Sequence, residues 1–321
     1  MSYNAARRRR GLEYRMPEPS YWGLTVTTSS GGQNFYIEIV AGTSIDITVD
    51  WGDGTSNTYK STGSKSHKYT DAGTYLIKVS GSIVNGHIRI GGTSSDKARL
   101  QETGVIGGIT GLIHFTDTFS GCTGLTSLPA DLFKYHPTVA DNAFNSTFTG
   151  CTGLTTLRSG LFKYNTQAAA SAFMKTFDGC TGLTSLPADL FRYNTLVGSS
   201  GFYKTFNGCT GLTSLPANLF RYNTLVGSSG FYQTFYGCNK LQLNPWIFYA
   251  SGEESTRFAS PVPAQNFESC FELTAAFGGT KGTAPALWDC TFNGTPSKKY
   301  CFARHSTYSV DNYGDIPAAW A

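Results

Sequence analysis

The sequence has little charge and no long apolar run. Charged residues make up 14% of its 321 residues, and no Glu occurs between residues 103 and 252. No apolar stretch approaches the ~20 residues that a membrane-spanning helix requires. The net charge of +4 is accounted for by an Arg run at residues 7–10. The rest of the chain is close to neutral, which excludes a body that coats nucleic acid.

Motifs for catalysis and cofactor binding are also missing. The sequence contains no G-x-x-x-x-G-K-[ST] loop and no G-x-G-x-x-G after a predicted strand. The five histidines are scattered, and none lies in a motif with a nucleophile. Cys290, Cys301 and His305 do not have the compact spacing of zinc ligands. We therefore expect a non-enzymatic protein with no catalytic residues, no metal site and no cofactor.

One sequence unit is repeated along the middle of the chain. The pattern F-x-G-C-T-G-L-T-x-L recurs with a 29-residue spacing at Cys122, Cys151, Cys180 and Cys209, and a weaker copy ends at Cys238. A fixed period of this length predicts a solenoid, in which each unit buries its apolar face against its neighbours. Equivalent positions of successive units point the same way, which is a poor geometry for disulfides. We therefore expect these cysteines to be buried free thiols.

Six apolar positions recur in the units and predict a continuous core. Their columns begin at Phe119, Leu125, Leu128, Leu132, Phe133 and Phe144. Within a unit, the L-T-S-L segment is predicted as a short strand, and A-D-L-F after Pro187 as a helical turn. Residues 170–177 are predicted as a second short helix.

The repeats resemble the BspA-like branch of the leucine-rich-repeat superfamily. The pattern F-x-G-C-T-G-L-T-S-L-P carries the resemblance, which covers about residues 105–245. The family's repeats serve surface adhesion and binding to host proteins or glycans. The resemblance therefore implies a display surface rather than a catalytic centre.

Short alternating segments before the repeats predict a small β-sandwich. The predicted strands are residues 21–28, 34–40, 45–51, 73–80 and 83–90. A W-G-D-G-T turn and a later H-x-Y-x-x-x-G-x-Y segment lie between them. Together they resemble the PKD-type (polycystic-kidney-disease-type), immunoglobulin-like domain over residues 21–82. Such domains usually serve as spacers or adhesion modules.

The turn in this domain contains two carboxylates, Asp50 and Asp53. Carboxylate side chains of this kind can bind calcium. Asx-type hydrogen bonds to the turn backbone account for both residues without a metal. We therefore predict a structural turn.

The predicted fold is mainly β with short helices: an Ig-like PKD β-sandwich followed by a leucine-rich-repeat solenoid of 29-residue repeats. Residues 1–20 are predicted to be a basic extended arm, 21–82 the sandwich, and 83–118 a junction and N-terminal cap. Residues 119–245 are predicted to be the solenoid. Residues 246–321 are predicted to be an irregular coil and C-terminal cap.

A column of cations and tyrosines is the best binding candidate within the repeats. It comprises Lys134, Tyr135, Lys163, Tyr164, Arg192, Tyr193, Arg221 and Tyr222. Stacked cations beside tyrosines suit an acidic polysaccharide or an acidic protein face. The structural alternative is that the tyrosines pack against the edge of the core. In that case the asparagines that follow them form hydrogen bonds to turns, and the cations are solvated. Lys175 and Lys204 form a shorter second column.

The pairing of a PKD-like domain with such repeats is similar to virion proteins of phages that infect gut bacteria. The resemblance implies a structural head, tail or fibre component of a virion, made in the host cytoplasm. Basic residues open the chain without an apolar segment after them, so we expect no secretory signal peptide. The expected partners are other virion proteins and a bacterial surface glycan or protein, with several copies per assembly. No nucleic acid or membrane is expected to bind the folded body.

The N-terminal arm is the candidate docking segment for the virion. Its site residues are Arg7, Arg8, Arg9, Arg10, Tyr14 and Arg15.

The alternative function is a bacterial cell-surface adhesin. A third is a capsule polysaccharide depolymerase that uses Asp131 and Asp189, which the solenoid places about 10 Å apart, near the outer limit for an inverting carboxylate pair.

Overall fold

The computed structural model describes residues 18–253, 258, 266–273, 282–302 and 310–321. The described residues are mainly β, with few helices. The elements are β1 (Trp22–Thr28), β2 (Asn34–Asp50), β3 (Ser56–Tyr59), β4 (Gly63–Lys68), β5 (Gly73–Ile90), α1 (Ser94–Lys97), β6 (Leu100–Thr103), β7 (Ile109–Leu112) and two 3₁₀ turns at Leu287–Asp289 and Tyr313–Asp315. None of the helices in these ranges has the length and apolarity needed to cross a membrane.

The seven strands form one sheet in the order β3-β2-β5-β1-β6, with β4 paired to β2 and β7 paired to β5. The pairs are antiparallel except β5 with β7, which is parallel. Successive side chains of a strand point to opposite faces, so apolar residues at every second position share one face. In β1, Trp22, Leu24 and Val26 are buried in this way. This sheet agrees with the predicted Ig-like N-terminal domain.

The two longest strands each join segments that the sequence predicts as separate strands. Residues 34–40 and 45–50 both lie in β2, and the other predicted pair lies in β5. Gly81 marks the bend in β5 with a φ of 125°. A Cβ atom there would lie 2.0 Å from the carbonyl oxygen of Asp46, so only glycine fits. The predicted domain boundary at residue 82 therefore falls inside a strand.

The residues after the sheet form stacked units. Backbone N–H groups donate to carbonyl groups of the next unit, as Phe148 does to Thr176 and Phe177 does to Thr205, both at 2.9 Å. Equivalent phenylalanines stack with ring centroids 5.4, 5.3, 5.5 and 5.4 Å apart in four successive pairs. The predicted apolar columns are buried between the units.

The backbone within each unit is a series of turns, which differs from the predicted strand and helices. Ser171 and Lys175 have φ angles of 51° and 53°. This left-handed conformation interrupts an α-helix, so residues 170–177 do not form one. Among the described L-T-S-L segments, the structure shows an isolated bridge at Ser214 and no strand. The predicted helical turn is a single turn in which Leu190 N–H donates to Pro187 O at 3.2 Å.

The sheet covers the first unit of the stack. Thr118 Oγ1 donates to Ile88 O in β5 at 3.1 Å, and Ile90 N–H donates to Thr118 O at 2.8 Å. The rings of Trp22 and Phe119 meet edge to face with centroids 5.7 Å apart. Buried residues of the sheet and of the units belong to one hydrophobic cluster. The sheet therefore acts as the N-terminal cap of the stack.

The stacking continues beyond residue 245 after irregular connections. The ring of Phe235 stacks on Phe271 at 5.5 Å, and Phe271 stacks on Phe302 at 5.4 Å. Phe302 N–H then donates to Trp320 O at 3.0 Å, and the Trp320 side chain is buried against the last phenylalanines. The segment predicted as irregular coil and cap thus contains two further stacked layers.

Candidate binding surface

The predicted cations and tyrosines lie together along one edge of the stack. Within the units, the distances from cation to ring centroid are 5.6, 4.7, 6.0 and 5.8 Å. Contacts also join neighbouring units: Lys134 Nζ lies 5.7 Å from the Tyr164 ring, and the Arg192 guanidinium carbon lies 5.1 Å from the Tyr222 ring. Such cation–π contacts are attractive. This ladder therefore helps to hold successive units together as well as displaying charge.

A buried row of asparagines underlies the ladder. Asn194 Nδ2 donates to Phe162 O at 3.1 Å and to Asn165 O at 3.0 Å, and Asn223 repeats the pattern one unit later. These side chains are 0–1% exposed, so they position the ladder from below and are not available to a ligand. His136 takes this position in the first unit, and burial lowers its pKa to about 4.

Carboxylates form ion pairs with the cations at both ends of the ladder. Asp131 lies 3.3 Å from Lys163 Nζ and 3.8 Å from Lys134 Nζ. The Tyr164 hydroxyl and the Asp131 carboxylate together raise the pKa of Lys163 despite partial desolvation. At the other end, Arg221 pairs with Glu253.

The centre of the ladder is its most accessible part. Arg192 forms no ion pair within the described ranges, and the exposed fraction of Tyr193 is 45%. Leu196 and Leu225 lie on the following turns and are 43% and 37% exposed. This centre combines a cation, an aromatic edge and apolar side chains. It can contact an acidic ligand that also has an apolar part.

The two aspartates considered for glycoside hydrolysis serve local contacts. Asp131 holds the two lysines described above, and Asp189 accepts a hydrogen bond from Ser159 Oγ at 2.7 Å. The structure thus explains both residues as parts of the ladder's edge. The arm residues Arg7, Arg8, Arg9, Arg10, Tyr14 and Arg15 lie outside the described residues.

The W-G-D-G-T turn of the sheet domain is held by its own side chains. Asp50 Oδ1 accepts from Gly52 N–H at 2.9 Å, and Asp53 Oδ1 accepts from Thr55 N–H at 3.0 Å. Asp53 Oδ2 also lies 2.6 Å from His67 Nε2. Burial opposes ionisation of Asp53, but the bonds from Thr55 and His67 lower its pKa on balance. These contacts agree with the structural turn that the sequence predicts.

An aromatic stack completes this motif. The Trp51 ring stacks on His67 at 5.1 Å, His67 meets Tyr69 edge to face at 4.7 Å, and Tyr69 stacks on Tyr75 at 4.0 Å. The Tyr69 hydroxyl donates to Trp51 O at 2.9 Å. The side chains of the two predicted motifs therefore form one structural unit. In the described part of the chain, no group of three or more His, Cys, Asp or Glu side chains is placed to hold a metal ion.

Comparison with known families identifies this part of the chain. Residues 23–88 match the PKD domain family, so the chain contains a PKD domain. The match extends past the predicted end at residue 82, in agreement with the continuous β5. No curated protein and no solved structure gives a significant match.

The buried thiols give a direct test of the stack in solution. All eight cysteines lie in the described ranges, where they are buried and form no disulfide, and Cys151 Sγ donates to Phe119 O at 3.0 Å. Burial raises the pKa of Cys151 to about 12. Because the thiolate is the reactive form, we expect a thiol reagent such as Ellman's reagent to label fewer than about one cysteine per native chain at pH 8. All eight should react in guanidinium chloride; rapid labelling of several thiols in the native protein would contradict the stacked structure.

Proposed function

We propose that the stacked units form a leucine-rich-repeat solenoid and that the chain is a non-enzymatic structural protein of a bacteriophage virion. In this proposal the solenoid displays a surface that binds other virion proteins or a bacterial surface glycan. The observation that carries it is the continuous core from the PKD domain into the stack. Such a core makes a rigid support for periodic surface side chains, as binding solenoids require.

The ladder is the proposed contact surface for an acidic partner. Its cations form ion pairs with Asp131 at one end and with Glu253 at the other, but Arg192 and Tyr193 remain accessible between these ends. An acidic saccharide with an apolar ring face complements this central combination of groups. The proposed docking segment on the particle is the arm at residues 7–15. The combination of a PKD domain with the repeats supports the virion assignment, in which the chain is present in several copies.

Mass spectrometry of density-gradient fractions from a producing culture tests this proposal. We expect the chain to migrate with intact phage particles at a fixed stoichiometry. A chain that lacks residues 1–16 is the matched control, and it should remain at the top of the gradient because the arm anchors it. Recovery in the cell-envelope fraction without particles would overturn the virion assignment and support the alternative of a bacterial surface adhesin.

A further inference from the structure

The surface beside the ladder changes between its first and its second half. In the turn after each tyrosine, the first two units carry Thr138 and Gln167, and the next two carry Leu196 and Leu225. The two leucines are 43% and 37% exposed. They occupy equivalent positions of adjacent units, whose phenylalanine rings stack with centroids 5.7 Å apart. Leu196 and Leu225 thus form one apolar patch, the leucine patch, and such a patch is a better candidate for a contact surface than a single exposed leucine.

One available cation accompanies the leucine patch. Arg192 precedes Leu196 by four residues in the same unit, and its side chain is exposed. In the part of the chain that the structure describes, Arg192 forms no ion pair, whereas Arg221 of the next unit pairs with Glu253. Asp189 precedes Arg192 by three residues, but its carboxylate accepts a hydrogen bond from a serine of the preceding unit and lies beyond ion-pair distance of Arg192. The patch therefore has one positive charge available to a ligand.

The Tyr222 ring already has cations of the ladder against it. The guanidinium carbons of Arg192 and Arg221 lie 5.1 and 5.8 Å from its centroid. A sugar ring that stacks on Tyr222 would therefore compete with attractive cation–π contacts. The hydroxyl groups of Thr195 and Thr224, next to the leucines, are exposed and can form hydrogen bonds with a ligand. At this unit the leucines, rather than the aromatic ring, are the apolar groups left for a ligand.

We propose that Arg192 and the leucine patch together bind an acidic saccharide that also carries an N-acetyl group. The carboxylate of the saccharide pairs with the Arg192 guanidinium, whose fork of N–H donors matches two carboxylate oxygens. The acetyl methyl group packs between Leu196 and Leu225, and the amide beside it bonds to the exposed threonine hydroxyl groups. This inference rests on the proposed function and narrows its acidic saccharide to one chemical class.

Two kinds of glycan contain both groups. In oligosialic acid each residue carries a carboxylate and an N-acetyl group, whereas in hyaluronan the two groups lie on neighbouring residues. A galacturonic acid oligomer has only the carboxylate, and a chitin oligomer has only the acetyl group. The last two ligands therefore test the two halves of the site separately.

Calorimetric titration and saturation-transfer NMR of the full chain with tetrasaccharides of these glycans test the proposal. We expect the hyaluronan or the sialic acid oligomer to bind, with the strongest saturation at its acetyl methyl protons. The galacturonic acid oligomer should bind about fivefold more weakly because it lacks the methyl group. The chitin oligomer should bind at least about tenfold more weakly because it lacks the carboxylate. Binding of only one of the two acetylated acidic ligands identifies which arrangement of the groups fits the site.

Substitutions assign each group of the ligand to its partner on the protein. Leu196→Ser with Leu225→Ser should lower the affinity for the acetylated acidic ligand to that for galacturonic acid, because the methyl contact is lost. Thr138→Ser with Gln167→Ser, at the equivalent positions of the first two units, is the matched control and should leave every affinity unchanged. Arg192→Gln should weaken the binding of all acidic ligands at least about tenfold. All five substituted side chains are exposed, so we expect each variant to fold, with an unchanged circular dichroism spectrum.

Two negative results have different meanings. Equal affinity for galacturonic acid and the acetylated acidic ligands, or a preference that remains without both leucines, would overturn this inference and leave the acidic saccharide of the proposed function intact. A wild-type chain that binds none of the acidic ligands would overturn the saccharide partner of the proposed function, and this inference with it.

Discussion

Phe191→Ala should lower the free energy of unfolding by about 3–5 kcal/mol. Phe191 is fully buried in the middle of the stack. Its ring lies within 6.1 Å of five other phenylalanine rings, centroid to centroid. Those rings belong to Phe162, Phe173, Phe202, Phe206 and Phe220. Truncation leaves a cavity between units that cannot close without moving both, so the lost contacts are not recovered.

Urea unfolding followed by circular dichroism measures this effect. Leu196→Ala is the matched control: it also removes a large apolar side chain from the same unit, but Leu196 is 43% exposed. We expect that control to change the free energy of unfolding by no more than about 0.5 kcal/mol. Equal shifts of the midpoint for the two variants would show that the phenylalanine columns are not the core of the protein.

The apolar columns could be predicted from the sequence because their period fixes which side chains face inward. Phe148, Leu154 and Phe162 recur at fixed positions of the unit, and each is buried in the structure. Burial depends on position in the repeat and not on the exact local conformation. The columns were therefore predicted correctly, although the prediction of a short helix at residues 170–177 was wrong.

The local backbone could not be predicted because hydrogen bonds between units override local propensity. The segment A-S-A-F-M-K has residues compatible with a helix, but its Lys175 N–H donates to Tyr203 O in the next unit at 2.9 Å. The backbone N–H groups reach carbonyl acceptors in the next unit because Ser171 and Lys175 adopt left-handed conformations. Propensity is a weak guide when partners of this kind decide the conformation.

The sequence predicts one further irregular coil after residue 245, around Cys270, but not two stacked layers, because the fixed spacing fails after residue 238. Irregular connections precede Phe271 and Phe302, so a search by period does not align them. A weaker signal was present in the sequence: Thr234–Phe235 is followed by Cys270–Phe271 and Cys301–Phe302. Cysteine can replace threonine there because the position is buried and small.

The ladder and the hydrogen-bonding role of its asparagines could be predicted from the sequence, but its ion pairs could not. Equivalent positions in a repeat predict that Lys134, Lys163, Arg192 and Arg221 align. The pattern does not reveal which cations meet carboxylates from other turns. Only the structure distinguishes Lys163, which is paired with Asp131, from Arg192. It also places the asparagines below the surface, where they bond to carbonyl groups.

Asn194→Asp should be strongly destabilising at neutral pH. Asn194 is 0% exposed, and its Nδ2 group donates to the carbonyl oxygens of Phe162 and Asn165. A carboxylate in its place directs negative charge at these two oxygens and loses both hydrogen bonds. Leaving a buried charge without a partner costs about 3–5 kcal/mol. We expect the free energy of unfolding to fall by an amount of this size at pH 7.

The pH dependence of the loss identifies its cause. Burial and the facing carbonyl oxygens raise the pKa of the introduced carboxyl in the folded state above the unfolded value of about 3.9. The destabilisation is therefore smallest below that unfolded value, where both states are protonated. It grows by about 1.4 kcal/mol for each pH unit until the folded pKa is reached. Urea midpoints of the variant and the wild type, compared at pH 4.5 and pH 8, measure this growth.

Asn194→Ala separates the lost hydrogen bonds from the buried charge. It removes the same two donors but introduces no titrating group, so its deficit relative to the wild type should be equal at the two pH values. The growth with pH should appear only in Asn194→Asp, since only that variant has a proton to release in the core. An equal deficit for Asn194→Asp at both pH values would mean that water reaches the introduced carboxyl. That result would contradict a buried asparagine row beneath the ladder.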